Sequence, residues 1–123
     1  MISVGTFCEV CDNSGVRVAQ CIKIPGHLKR AVVGQIIVVA IQKGRLKKEK
    51  DLPGKGKGVY EAIIVQTNKA KSRLDGSRLN WDSNALVLLQ KGLPIGTRIL
   101  KGVGHELRKK RYTRLLSLAP RIC

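Results

Sequence analysis

The sequence predicts a mainly β fold: a small five-stranded β-barrel with a projecting β-hairpin or basic loop and one or two short C-terminal α-helices. Three observations predict it. The apolar runs are short and rich in aliphatic and β-branched residues, as in Ala62-Ile63-Ile64-Val65 and Ala85-Leu86-Val87-Leu88-Leu89. Turn-forming clusters separate such runs, among them Asp12-Asn13-Ser14-Gly15, Pro25-Gly26 and Asp75-Gly76-Ser77. Helix formers at helical spacing gather only beyond Gly104. Many short strands with turns between them favour a closed barrel, which leaves no open sheet edge.

In chain order, Ser3 to Val10 pairs with Val16 to Ile24 through the Asp12 to Gly15 turn, giving a hairpin. Strict alternation puts Val16, Val18, Ile22 and Ile24 on one face and Arg17, Ala19, Cys21 and Lys23 on the other. Pro25 to Arg30 interrupts the pattern with a basic end. Val32 to Ile41 then reads as a central strand covered on both faces. From Lys43 to Lys57 the chain is a cationic loop, and Pro53-Gly54-Lys55-Gly56-Lys57-Gly58 is incompatible with regular structure. Val59 to Thr67 is the next strand, Arg78 to Trp81 a short edge piece and Ala85 to Leu89 another core strand. Gly104 to Arg111 carries an acid in its first turn and a basic finish, as the helix dipole favours. Tyr112, Leu115 and Leu116, at spacings of three and four, are expected to cap the barrel. The 123 residues form one domain, with the barrel and its loops in 1–103 and the helical segment in 104–123.

Charge bounds the partners. Lys and Arg number 24 against 8 Asp and Glu, a net charge of +16, so the compact chain repels itself unless a polyanion screens it. Nucleic acid is the natural partner. The phosphate-contact candidates are Lys23, Lys29 and Arg30; Lys43, Arg45, Lys47, Lys48, Lys50, Lys55 and Lys57 in the cationic loop; Lys69, Lys71, Arg73 and Arg78 around the Asp75-Gly76 turn; and Arg108 and Lys109 in the helical segment. The aromatic residues are Phe7, Tyr60, Trp81 and Tyr112, too few for a platform that reads a single strand by stacking several bases. Contact with phosphates and folded RNA shape is expected. The longest apolar stretch, Val32 to Ile41, is interrupted by Gly34 and Gln35 and falls short of a membrane span. Met1-Ile2-Ser3-Val4 lacks the pattern of a secretory signal, and no Arg- and Ser-rich transit peptide is visible.

Catalytic and metal chemistry find little support. Cys8-Glu9-Val10-Cys11 has the spacing of half a zinc site or a redox pair, but no second close pair exists. Cys21 and Cys123 stand alone, and His27 and His105 have no ligand spacing to each other. Reduced cysteines in strands are the ordinary reading; a free-standing basic zinc or thiol module using Cys8 and Cys11 is the alternative. Ser14 lacks the Gly-x-Ser-x-Gly elbow, and Gly54 to Gly58 lacks the Gly-Lys-Ser/Thr ending of a phosphate-binding loop. With so few acids, Asp12, Asp75 and Asp82 read as turn residues. The expectation is a protein that is not an enzyme and needs no metal or other cofactor.

One run carries a family resemblance. A small residue and three aliphatics (62–65), nine residues, Asp75-Gly76, four residues, Trp81, two residues, Asn84, two residues and Val87-Leu88 resemble the signature of the universal L-fourteen family of large-subunit ribosomal proteins. Trp81 stands where that signature usually has Phe or Tyr. Further segments follow in family order: Asp12-Asn13-Ser14-Gly15, Gly34-Gln35-Ile36-Ile37, Pro94 to Ile99, Glu106-Leu107-Arg108 and Ser117-Leu118-Ala119-Pro120. The resemblance implies a structural rRNA-binding constituent of the large subunit that lies near the subunit interface and helps bridge to small-subunit rRNA. It also implies a neighbouring ribosomal protein of the L-nineteen family and a ribosome-silencing factor docking at Thr97 and Arg98. For Arg98, an rRNA phosphate is an equal alternative. Cys11, Trp81 and the Arg121-Ile122-Cys123 end point to a mitochondrial version, with bacterial cytoplasm and plastid as alternatives.

Overall fold

Strands apolar on every residue need cover on both faces, and the architecture supplies it for the 62–65 and 85–89 runs. The computed structural model describes residues 2–13, 15–26, 29–44, 59–68, 71–72, 78–79, 83–90, 93–96, 98–104, 107, 113–120 and 122. The strands are β1 (Phe7–Val10), β2 (Val16–Lys23), β3 (Ile36–Gly44), β4 (Val59–Gln66), β5 (Lys71–Ser72), β6 (Arg78–Leu79), β7 (Ala85–Gln90) and β8 (Leu93–Pro94). The helix among the described residues is α1 (Thr113–Leu118). The main sheet runs β1-β2-β3-β4-β7-β8, and a further β1–β7 pairing closes its first five strands into a barrel. That closure is parallel, with Glu9 opposite Ala85 and Val10 opposite Leu86, whereas the other neighbours are antiparallel. The two apolar runs pair with each other, Ala62 facing Leu88 and Ile63 facing Val87. A separate two-stranded hairpin, β5–β6, pairs Lys71 with Leu79 and Ser72 with Arg78.

Two apolar clusters lie on either side of the β4–β7 wall. The barrel interior holds Ile2, Cys8, Val16, Ala19, Cys21, Ile37, Val39, Ala62, Ile64, Leu86 and Leu88. The outer cluster holds the alternate residues Ile63, Val65, Ala85, Val87 and Leu89, covered by Ile99, Val103, Leu107, Leu115 and Leu116. Thus Leu115 and Leu116 do not cap the barrel end as expected; they seal the outside of one wall. The reason is that β4 and β7 have no polar face, so their outward Ile, Val and Leu side chains need cover more than the barrel mouth does. Leu107 is helical and buried, while residues 105–106 and 108–112 of the expected helix lie outside the described residues.

Two strand expectations need correction. Alternation in β2 fails because its register against β3 shifts between Val16 and Val18, between Val18 and Ala19, and between Cys21 and Lys23. Ala19 and Cys21 therefore face the core, and Ile22, expected with the inward valines, is 42% exposed. The central strand begins at Ile36, not Val32, because Val32 to Gln35 forms a turn with Gly34 at φ 90°, a conformation that suits glycine. Its outer face is also only partly covered: Ile36 packs on the outer cluster, but Val38 and Ala40 are half-buried.

Asp12 does more than turn the chain. Its buried carboxylate accepts the Leu88 N–H at 3.3 Å, extending along β7 the pairing that β1 ends at Val10. On the other side, the Leu100 N–H donates to the Cys11 carbonyl at 2.6 Å, and the Asn13 N–H donates to the Arg98 carbonyl at 3.2 Å. The Asn13 Oδ1 accepts the Arg98 N–H at 3.1 Å. Gly96 sits against this clamp: a Cβ there would lie 2.7 Å from Asn13 Oδ1 and 3.2 Å from Asp12 Cβ. Replacing Gly96 with Ala is expected to destabilise the fold by about 1–3 kcal/mol, read as a lower urea midpoint at unchanged m-value, because the held Asn13 side chain must move.

The cysteines are packing residues. Cys8 belongs to the interior cluster and Cys11 to the outer one, so the two sulfurs point to opposite sides of the barrel wall and cannot converge on one ion. Cys8, Cys11 and Cys21 are free thiols. Burial pushes Cys8 and Cys11 up to about 12. A thiol whose pKa is raised by folding contributes stability that is complete below its unfolded pKa of about 8.5 and is lost as pH climbs through its folded value. The wild-type chain is therefore expected to lose more stability between about pH 8 and about pH 10.5 than a Cys8→Ala, Cys11→Ala double variant, measured as the shift in urea midpoint. Equal losses would place the sensitivity in other groups.

Candidate nucleic-acid interface

Barrel topology sorts the cations by end. β2 runs toward Lys23, which pairs with Val38 near the start of β3. The connection that follows carries exposed Lys29 and Arg30 and is tied down by reciprocal hydrogen bonds between Ile2 and Ala31, at 2.8 and 2.7 Å. At this same end β4 finishes, Gln66 opposite Ala85, and the chain departs toward the β5–β6 hairpin, whose rungs include Lys71 and Arg78. Exposed Lys43 stands at the other end, opposite Val18, and Gly44 there faces Val16. Beyond Gly44 the sequence enters the cationic run, returning at Val59 opposite Ala40. Of the described candidates, Lys23, Lys29 and Arg30 therefore lie at one end and Lys43 at the other. Arg45, Lys47, Lys48, Lys50, Lys55, Lys57, Lys69, Arg73, Arg108 and Lys109 lie outside the described residues, as does Thr97.

Sequence reasoning passes over Arg17 and Lys101. Arg17 is exposed where a register shift interrupts the β2–β3 ladder. No local pattern announces that shift. Lys101 pairs with Glu9, whose carboxylate also accepts from Ser83 Oγ at 3.4 Å. The Lys101 hydrogen bond is the main cause holding the Glu9 carboxyl below its usual range. Exposed pairs of this kind contribute little to stability, but they remove Lys101 as a free cation for phosphate. Arg98 is exposed on a backbone that Asn13 grips through both its N–H and its carbonyl.

Glu9 and Asp12 are committed to structural partners. A shallow cleft between the β1–β2 hairpin and Leu100 is lined by both Glu9 and Asp12. There Glu9 is held by Lys101, and Asp12 accepts the Leu88 N–H. Among the described residues no group of three or more His, Cys, Asp or Glu is placed to hold a metal ion, and no helix is long and apolar enough to cross a membrane.

A basic five-stranded barrel, closed by its N-terminal strand and sealed by its C-terminal segment, is thus the frame on which the signature run is hung. The family model described as Ribosomal protein L14p/L23e matches residues 1–123, the whole chain. The chain belongs to the ribosomal protein L14p/L23e family and so is a structural protein of the large ribosomal subunit.

Proposed function

We propose that the chain binds large-subunit rRNA near the subunit interface and, in translation, contributes to a bridge with small-subunit rRNA. The carrying observation is the net charge of +16 in a family member whose described cations Lys23, Lys29, Arg30 and Lys43 are exposed at two ends of a rigid barrel. Lys and Arg on a firm scaffold position RNA through phosphates, releasing its counterions. The resemblance supports a neighbour of the L-nineteen family, and the departures from it at Cys11, Trp81 and the Arg121-Ile122-Cys123 end support a mitochondrial ribosome as the setting. It also supports a silencing factor docking at Thr97 and Arg98. The Asn13 grip fits that role for Arg98, because a held backbone has little conformational entropy of its own left to lose on binding.

Affinity for deproteinised large-subunit rRNA is expected to fall steeply with salt. If roughly six to ten phosphates are neutralised, the slope of log affinity against log salt is about −4 to −9, and a nearly flat response would refute the reading. A Lys47→Ala, Lys48→Ala variant should bind more weakly across RNA sequences, with a slope shallower by roughly 1 to 2.

Arg98→Glu separates the two roles open to Arg98. Weakened silencing-factor binding to free large subunits with normal incorporation identifies a docking residue. Failed incorporation with normal factor affinity of the particles that do assemble identifies an rRNA ligand.

A further inference from the structure

One corner of the barrel combines exposed apolar surface with cations. Phe7 lies on β1 opposite Gln20 and is 61% exposed, its neighbour Cys8 pointing inward. Across the ladder, the Gly5 N–H donates to the Cys21 carbonyl at 2.7 Å and the Cys21 N–H to the Thr6 carbonyl at 2.9 Å, which places outward Ile22 diagonally beside Phe7. Val4, 62% exposed, completes the apolar set. Between them Gly5 has no side chain, and nothing lies within 4 Å of where its Cβ would be. The corner presents an exposed ring and exposed aliphatic groups beside open space at Gly5. Its surroundings are cationic: Lys23 follows Ile22, and the Ile2–Ala31 hydrogen bonds bring Arg30 and Lys29 alongside the N-terminal segment that leads into the turn at Val4.

A planar, apolar-faced group attached to a negative chain fits this corner in shape and charge. We infer that Phe7 stacks one unpaired nucleobase of large-subunit rRNA, while Lys23, Lys29 and Arg30 take the flanking phosphates. A single ring serves a single flipped or bulged nucleotide, so the contact does not need the multi-ring platform that the composition lacks. The flanking cations favour RNA over an apolar protein segment, which would leave those charges unmatched. The inference rests on the rRNA reading and adds a base contact to it.

The test is the full-length protein titrated with deproteinised large-subunit rRNA at several salt concentrations, as wild type and as Phe7→Ala, Phe7→Leu and Phe7→Trp. Phe7 is mostly exposed, so all four chains should melt alike. Phe7→Ala is expected to bind roughly 5- to 150-fold more weakly, the range found for losing one base–aromatic stack, at an unchanged salt slope because no charge is removed. Phe7→Trp should retain affinity, and Phe7→Leu, apolar but without a planar face, should fall close to the Ala variant. Wild-type affinity in Phe7→Ala, with the steep slope intact, overturns the base contact and leaves rRNA binding standing. Wild-type affinity in Phe7→Leu shows a generic apolar contact, as a protein neighbour would make, and also overturns it. A flat slope in the wild type removes the rRNA reading itself.

Discussion

The rest of the structure depends on the parallel β1–β7 pairing. Without it the sheet would end in two open edges, and the interior cluster from Ile2 to Leu88 would face solvent along a seam. The closure is short. Glu9 and Cys11 donate their N–H groups to the Asn84 and Leu86 carbonyls, each at 3.0 Å, after which β1 diverges. Asp12 continues it with a side chain, accepting the Leu88 N–H that a longer β1 would have paired. A buried carboxylate in a strongly basic chain is tolerable because it replaces a missing backbone acceptor, and an unpaired N–H inside the wall would itself cost free energy.

Closure also dictates what happens outside the barrel. Once β7 is paired with both β4 and β1 it is interior to the sheet, and its outward residues Ala85, Val87 and Leu89 need a second layer. The chain after β8 supplies that layer. Leu100 pairs with Cys11, Gly104 N–H donates to the Val65 carbonyl at 3.3 Å, and α1 lays Leu115 and Leu116 over the wall. At six residues α1 is too short to be stable by itself, so packing, not propensity, holds it.

How much of this was legible depends on where the determining contact lies. β4 and β7 are readable as runs without a polar residue from Ala62 to Val65 and from Ala85 to Leu89, and their burial on both faces follows from hydrophobic content alone. The faces of β2 are not readable, because its bulges depend on β3 and leave no mark in a strand-like sequence. The start of β3 was hidden behind apolar Val32 and Val33, which belong to a turn fixed by Gly34. The parallel closure joins residues more than seventy positions apart, and no local signal encodes that distance. The site divides the same way. Its charge is a matter of counting, but the sorting of Lys23, Lys29 and Arg30 to one end and Lys43 to the other is set by strand direction. Phe7 lies outside because its neighbour Cys8 turns inward, which no local pattern announces.

Strand direction has one more consequence. In an antiparallel sheet, successive strands end at opposite edges, so β3 ends at Gly44 and β4 at Gln66 on opposite ends of the barrel. Lys43 and the group of Lys23, Lys29 and Arg30 are thereby held at opposite ends of a wall whose strand β4, of eight residues, spans roughly 26 Å at about 3.3 Å per residue. That separation exceeds the screening length of about 8–10 Å at physiological salt, so the two groups of charge repel each other little and can be neutralised independently. A domain this small with its charge gathered in one patch would have to fold against that repulsion. Divided between two ends, the same charge leaves the core less repulsion to fold against.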